Sequence, residues 1–89
     1  MDFRWNEWNV DHIATHGITP EEAEWVVENA KPPYPEMKED EKWFVVGRGG
    51  GGRFLQVIFV EDDDGTAFVI HARALTDKEK HRHRRRIRS

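Results

Sequence analysis

Cysteine is absent from this 89-residue sequence. No disulfide and no thiolate metal site can staple the fold, so its stability has to come from packing. Long apolar runs are absent as well. No stretch approaches the roughly 20 residues that a membrane helix needs, which excludes a membrane-spanning protein. The start, MDFRWNEW, has no basic stretch leading into an apolar one, so no signal peptide is expected and a cytoplasmic protein is. Length sets a further bound. A chain this short supports one domain, 1–89, and hides only roughly 60–65% of its unfolded surface, so its core is thin. That excludes a large multi-step enzyme.

What is present is aromatic and charged. Four Trp, five Phe and one Tyr argue against disorder and for a small core built on a few large rings. The formal net charge is -3, divided unevenly. Residues 1–46 carry 11 acids and four bases, whereas 47–89 carry six acids and ten bases. Eight Lys/Arg fall within 71–89, beside His71, His81 and His83. A basic tail behind an acidic half can hold an anion locally, although nucleic-acid binders are usually basic throughout.

The pattern predicts helix, helix, three or four antiparallel strands, helix: an α+β domain. Asn6 or Asn9 can open a first helix running to about His16, stopped by Gly17. Thr19-Pro20-Glu21-Glu22 is a capping box with proline at the first helical position, and that helix runs to about Ala30. Lys31-Pro32-Pro33-Tyr34-Pro35 ends it. Trp43–Arg48, Arg53–Glu61 and Thr66–Ala74 read as strands, with Tyr34–Lys38 as a short edge strand. Thr76-Asp77-Lys78-Glu79 is a second capping box, so the basic segment of about 76–89 starts as a helix.

Strict alternation along the strands sorts the side chains. Trp43 and Val45 oppose Phe44, Val46 and Arg48. Leu55, Val57 and Phe59 oppose Phe54, Gln56, Ile58 and Val60. Phe68, Ile70 and Ala72 are expected on one face, and Val69, His71 and Arg73 on the other. One sheet face can then be wholly apolar, while the second carries Arg48, Gln56, His71 and Arg73.

Several motifs invite chemistry. Gly47–Arg53 is glycine-rich, but it lacks the Lys-Ser/Thr of a phosphate loop and a strand follows it. It reads as a flexible hairpin whose two arginines can grip a phosphate. His12 and His16 stand four apart on a helix, yet Ile13 replaces the glutamate of zinc proteases and no third ligand is evident. No metal site and no cofactor are expected. His81-Arg82-His83 reads as part of a basic helix. His71 and Arg73, neighbours on one strand face, pair an imidazole with a guanidinium, as acid–base chemistry at a phosphodiester would use.

Read together, these segments resemble the BrnT family of bacterial type II toxins, grouped with RelE-like ribonucleases. The resemblance runs through Trp5-Asn6-Glu7, His16-Gly17-Ile18-Thr19-Pro20-Glu21-Glu22-Ala23, Gly47-Arg48 with Gly52-Arg53-Phe54-Leu55-Gln56-Val57, and Ile70-His71-Ala72-Arg73-Ala74-Leu75-Thr76-Asp77-Lys78-Glu79. It implies a compact sheet flanked by helices and a metal-independent RNA endonuclease. It also implies a cognate antitoxin, a BrnA-like ribbon-helix-helix protein, through which alone the pair would reach operator DNA. Arg48, Arg53 and Arg73 match the family's recurrent arginines and Glu79 its acidic residue in the last helix. His83 stands where the family often has tyrosine.

On this reading Arg73 would stabilise the phosphate and His71 or His83 would exchange the proton, with Glu79 beside them. Arg48, Arg53, Arg82 and Arg85 would hold the RNA backbone. The alternative is a catalytically inactive BrnT-like module that binds a protein partner through the exposed sheet face or the basic tail.

Overall fold

The computed structural model describes residues 1–88, with Ile87 and Arg88 by backbone only; Ser89, the end of the expected basic tail, lies outside the described residues. Chain order gives β1 (Phe3–Arg4), α1 (Glu7–Ala14), α2 (Pro20–Glu28), β2 (Glu36–Lys38), a 3-10 turn (Glu39–Glu41), β3 (Lys42–Arg48), β4 (Phe54–Glu61), β5 (Ala67–Ala74) and α3 (Asp77–Arg88). The α+β class holds, but the sheet differs from the one expected. It has five strands in the order β1-β5-β4-β3-β2. It is mixed rather than antiparallel, because β1 runs parallel to β5. A two-residue strand has no periodicity to read, so β1 left no trace in the sequence pattern.

Capping fixes the first two helices. Asn6 caps α1 by accepting from the Asn9 backbone N–H, and Asn9 returns the bond to the Asn6 N–H. Asn9 is fully buried and also donates to the Arg4 carbonyl, which ties the helix start to β1. The helix closes at Ala14, two residues earlier than expected, and Gly17 takes the left-handed conformation (φ 73) that leads the chain onward. Thr19 caps α2 with Pro20 at the first helical position.

α1 packs against β5, and α2 against β3 and β4. Ile13, Ile18, Ala23, Val26 and Val27 meet Val45, Leu55, Val57, Phe59, Ala67, Val69 and Ala72 in one core. Burying one such Val, Leu, Ile or Phe side chain is worth about 1.5–3 kcal/mol. The face assignments on β3 and β4 hold. On β5 they do not, because the register slips between Ile58 and Phe59: Ile58 faces His71, while Phe59 faces Val69. Ile70 is the extra residue of a β-bulge. Val69 and Ala72 therefore share the core face, with Phe68, His71 and Arg73 off it. Among the described residues, no helix is long and apolar enough to cross a membrane.

Candidate functional site

α3 reaches the rest of the fold through its side chains. Glu79 completes the capping box predicted at Thr76, accepting from the Thr76 backbone N–H at 2.9 Å. It also takes both ends of the Arg73 guanidinium, each at 2.7 Å. This arginine holds Glu79 well below the usual carboxylate range, at about 2. One turn on, the His83 ring packs 5.8 Å from the Tyr34 ring and 5.5 Å from the Phe54 ring. Arg86 then pairs with Glu36 at 2.9 Å and lies over Tyr34. Three ties thus pin a strongly basic helix beside the sheet.

Between α2, the proline turn, the β3–β4 hairpin and α3 lies a cleft of about 760 Å³. Trp25, Tyr34 and Phe54 give it aromatic walls, and Lys31, Arg48 and His83 give it polar ones. Arg48 stands at the end of β3, its guanidinium 4.8 Å from the Phe54 ring centroid, and among the described residues no carboxylate pairs with it. It differs in this from Arg4, Arg53, Arg73 and Arg86, which hold Asp62, Glu22, Glu79 and Glu36. A guanidinium fork that lines a cleft and carries no carboxylate can take a phosphate.

His83 is the other polar group of note. It is buried, with 8% of its surface exposed, and among the described residues its Nδ1 has no hydrogen-bond partner. Unpartnered buried polar atoms are uncommon and point to strain or to a catalytic role. Burial and the nearby Arg86 charge lower the His83 pKa, so the ring is neutral at pH 7. Among the described residues Nε2 makes no hydrogen bond, and it is not one of the buried unpartnered atoms, so it is the nitrogen open to solvent. A neutral imidazole in the same cleft as such a guanidinium can remove a proton from a hydroxyl whose attack on phosphorus builds negative charge.

The other residues singled out in the sequence fall elsewhere. Arg73 shares its strand face with His71, but its guanidinium is committed to Glu79. The Glu79 carboxylate already neutralises its charge. His71 turns toward α1, its ring 5.8 Å from His12 and 5.2 Å from His16. Its pKa is lowered by burial and by the neighbouring imidazoles. Sequence spacing gave the His12–His16 pair no third member, and the fold supplies one. Even so, among the described residues no three His, Cys, Asp or Glu are arranged to hold a metal ion. Arg53 is bidentate to Glu22 and donates to the Gly17 carbonyl at 2.6 Å, bracing the hairpin against the start of α2. Arg82 and Arg85 are exposed on α3.

Of the residues named in advance, the cleft therefore gathers His83 and Arg48. It adds Trp25, Lys31, Tyr34 and Phe54, which sequence reasoning treated as core, linker or strand. The available signal was Tyr34 between two prolines, a fixed turn carrying a ring. No protein-family model, curated protein or solved structure matches this chain.

Proposed function

We propose that this protein is a metal-independent endoribonuclease of the BrnT-like toxin kind, cutting single-stranded RNA in the cleft and silenced by a cognate antitoxin. The observation that carries this reading is that His83, buried and unpartnered at Nδ1, lines the same cleft as Arg48, which has no carboxylate partner among the described residues. In the reaction His83 Nε2 takes the proton of a ribose 2′-OH. The 2′-oxygen attacks phosphorus, Arg48 stabilises the charge on the phosphoryl oxygens, and the 5′-oxygen leaves as the P–O5′ bond breaks, taking a proton from water. The products are a 2′,3′-cyclic phosphate and a 5′-hydroxyl end. Arg73 serves here as the anchor of α3, holding His83 in place through Glu79.

The test is end-group analysis of RNA incubated with purified protein in EDTA. Cyclic phosphate ends that are absent from an all-2′-deoxy control support the reading. No cleavage by protein freed of any partner refutes it.

A second reading, the protein-binding module, draws on a specific observation. Arg53 and Arg73, two arginines expected to serve RNA, are occupied by carboxylates. A module of this kind would bind the antitoxin without cleaving RNA, and the same assay separates the two.

A further inference from the structure

Each of the four tryptophans except one is partnered within the fold. Trp5 donates its indole N–H to Glu24 at 2.7 Å. Trp8 stacks on His12 at 5.2 Å and meets Phe68. Trp43 stacks against Phe59. Of the four, Trp25 alone has no ring contact and no hydrogen bond of its side chain among the described residues, and 52% of its surface is exposed, against 56% for the stacked Trp8. It is not needed for packing α2, whose buried face is Ala23, Val26 and Val27. A large ring left half in solvent is an unspent binding surface.

Its position says what would cover it. Trp25 lines the cleft that holds Arg48, Lys31 and His83. It also lines a second, adjoining cavity of about 430 Å³ with Thr19, Glu21, Glu22, Gly50 and Gly51. The ring therefore stands between two hollows at the lip of a cationic wall. A ligand that suits it has a flat π-face and an anionic group close by. Single-stranded nucleic acid has both, since every base can stack on an indole whatever its sequence. An apolar peptide would leave Arg48 and Lys31 unused.

The geometry points to Trp25 as a stacking platform for one unpaired nucleobase of single-stranded RNA, with the adjoining phosphate on Arg48. This subsite rests on the ribonuclease reading of the cleft and adds its substrate class: an unpaired strand with no fixed base at the Trp25 position. Duplex RNA, whose bases are already stacked on one another, does not fit it. The contact is apolar and the phosphate contact ionic, so the two separate by their salt dependence.

The experiment uses the whole chain and a 2′-deoxy hexanucleotide, which cannot be cut by 2′-OH attack, and reads affinity by fluorescence anisotropy of an end label. Trp25→Ala should weaken binding about 5- to 150-fold, the range of single base–aromatic stacks, with the slope of log K against log salt unchanged. Trp25→Phe should recover most of the loss. Arg48→Ala should reduce that slope by about 1. Because Trp25 is exposed, the variants should melt with the wild type, which separates lost stacking from lost fold.

Equal affinity of wild type and Trp25→Ala overturns the proposal, as does tighter binding to the matching duplex. Equal affinity with intact RNA cleavage leaves the ribonuclease reading standing without the subsite. Trp25-dependent binding without cleavage leaves the subsite standing without the ribonuclease. A wild type that binds no oligonucleotide removes both.

Discussion

Breaking the Arg73–Glu79 pair should destabilise the whole domain by an amount that can be worked out from its geometry. The pair is bidentate, with both bonds at 2.7 Å, and both side chains are a little over a quarter exposed. A hydrogen bond to a charged group contributes about 1.5–3 kcal/mol when well shielded, and exposed ion pairs contribute about 0.2–1 kcal/mol. An intermediate site is therefore worth about 1–2 kcal/mol. Arg73→Ala should lose that much. Glu79→Ala should lose somewhat more, because Glu79 also accepts the Thr76 N–H at the start of α3. For a domain of this size each kcal/mol lowers Tm by about 4–8 °C. Urea melts of wild type, both single variants and the double variant form a thermodynamic cycle. The coupling should be about 1 kcal/mol at pH 7. The pH dependence follows from Glu79, whose pKa falls from 4.5 to about 2 on folding. A depressed carboxylate stabilises the fold fully above pH 4.5, and that contribution drains away as pH falls toward 2. Two single changes that add to within about 0.3 kcal/mol would refute the pairing. The anchoring role given to Arg73 would fall with it.

Three further outcomes are expected. Folding lowers the pKa of both His71 and His83, so the unfolded chain takes up protons first as pH drops. Stability should be level above about pH 6.5 and decline below it, and a denaturation midpoint that stays flat from pH 7.5 to 5.5 contradicts this. Gly49→Ala places a Cβ 2.8 Å from Glu22 Oε2, the oxygen that accepts from Arg53 Nε, so the pair must shift. The loss should be about 0.5–1 kcal/mol, read as a small drop in Tm, and a variant that melts with wild type counts against it. Phe59→Ala empties a fully buried site at the centre of the sheet and should cost about 3–5 kcal/mol by urea melt, whereas a loss under 1 kcal/mol would contradict its place in the core.

The fold was largely legible because its signals are local. Thr19-Pro20 and Thr76-Glu79 are caps, and both cap in the structure. The alternation along β3 and β4 sorted their faces correctly because each pairs without a break across that interface. The bulge at Ile70 was not legible. It arises from the fit of β5 against β4, and nothing in Ile70-His71-Ala72 marks an added residue. That one residue moves Val69 onto the core face, while His71 and Arg73 stay together on the face of Gln56 and Ile58.

The site was legible only in part, for a related reason. Arg48 and His83 lie 35 positions apart, and only the packing of α3 over Phe54 and Tyr34 brings them to one cleft. Sequence could name the arginines but not which were already neutralised. Glu22 lies 31 residues from Arg53, and Glu36 lies 50 from Arg86.

Cleavage of a single-stranded RNA by wild type and by His83→Ala, both in EDTA and at pH 7.5, bears on the cleft most directly. Loss of a positioned general base should lower the rate by about 10²–10⁴-fold while the variant stays folded. Cleavage at the wild-type rate by His83→Ala, or none by wild type stripped of any partner, would contradict the assignment of catalysis to this cleft.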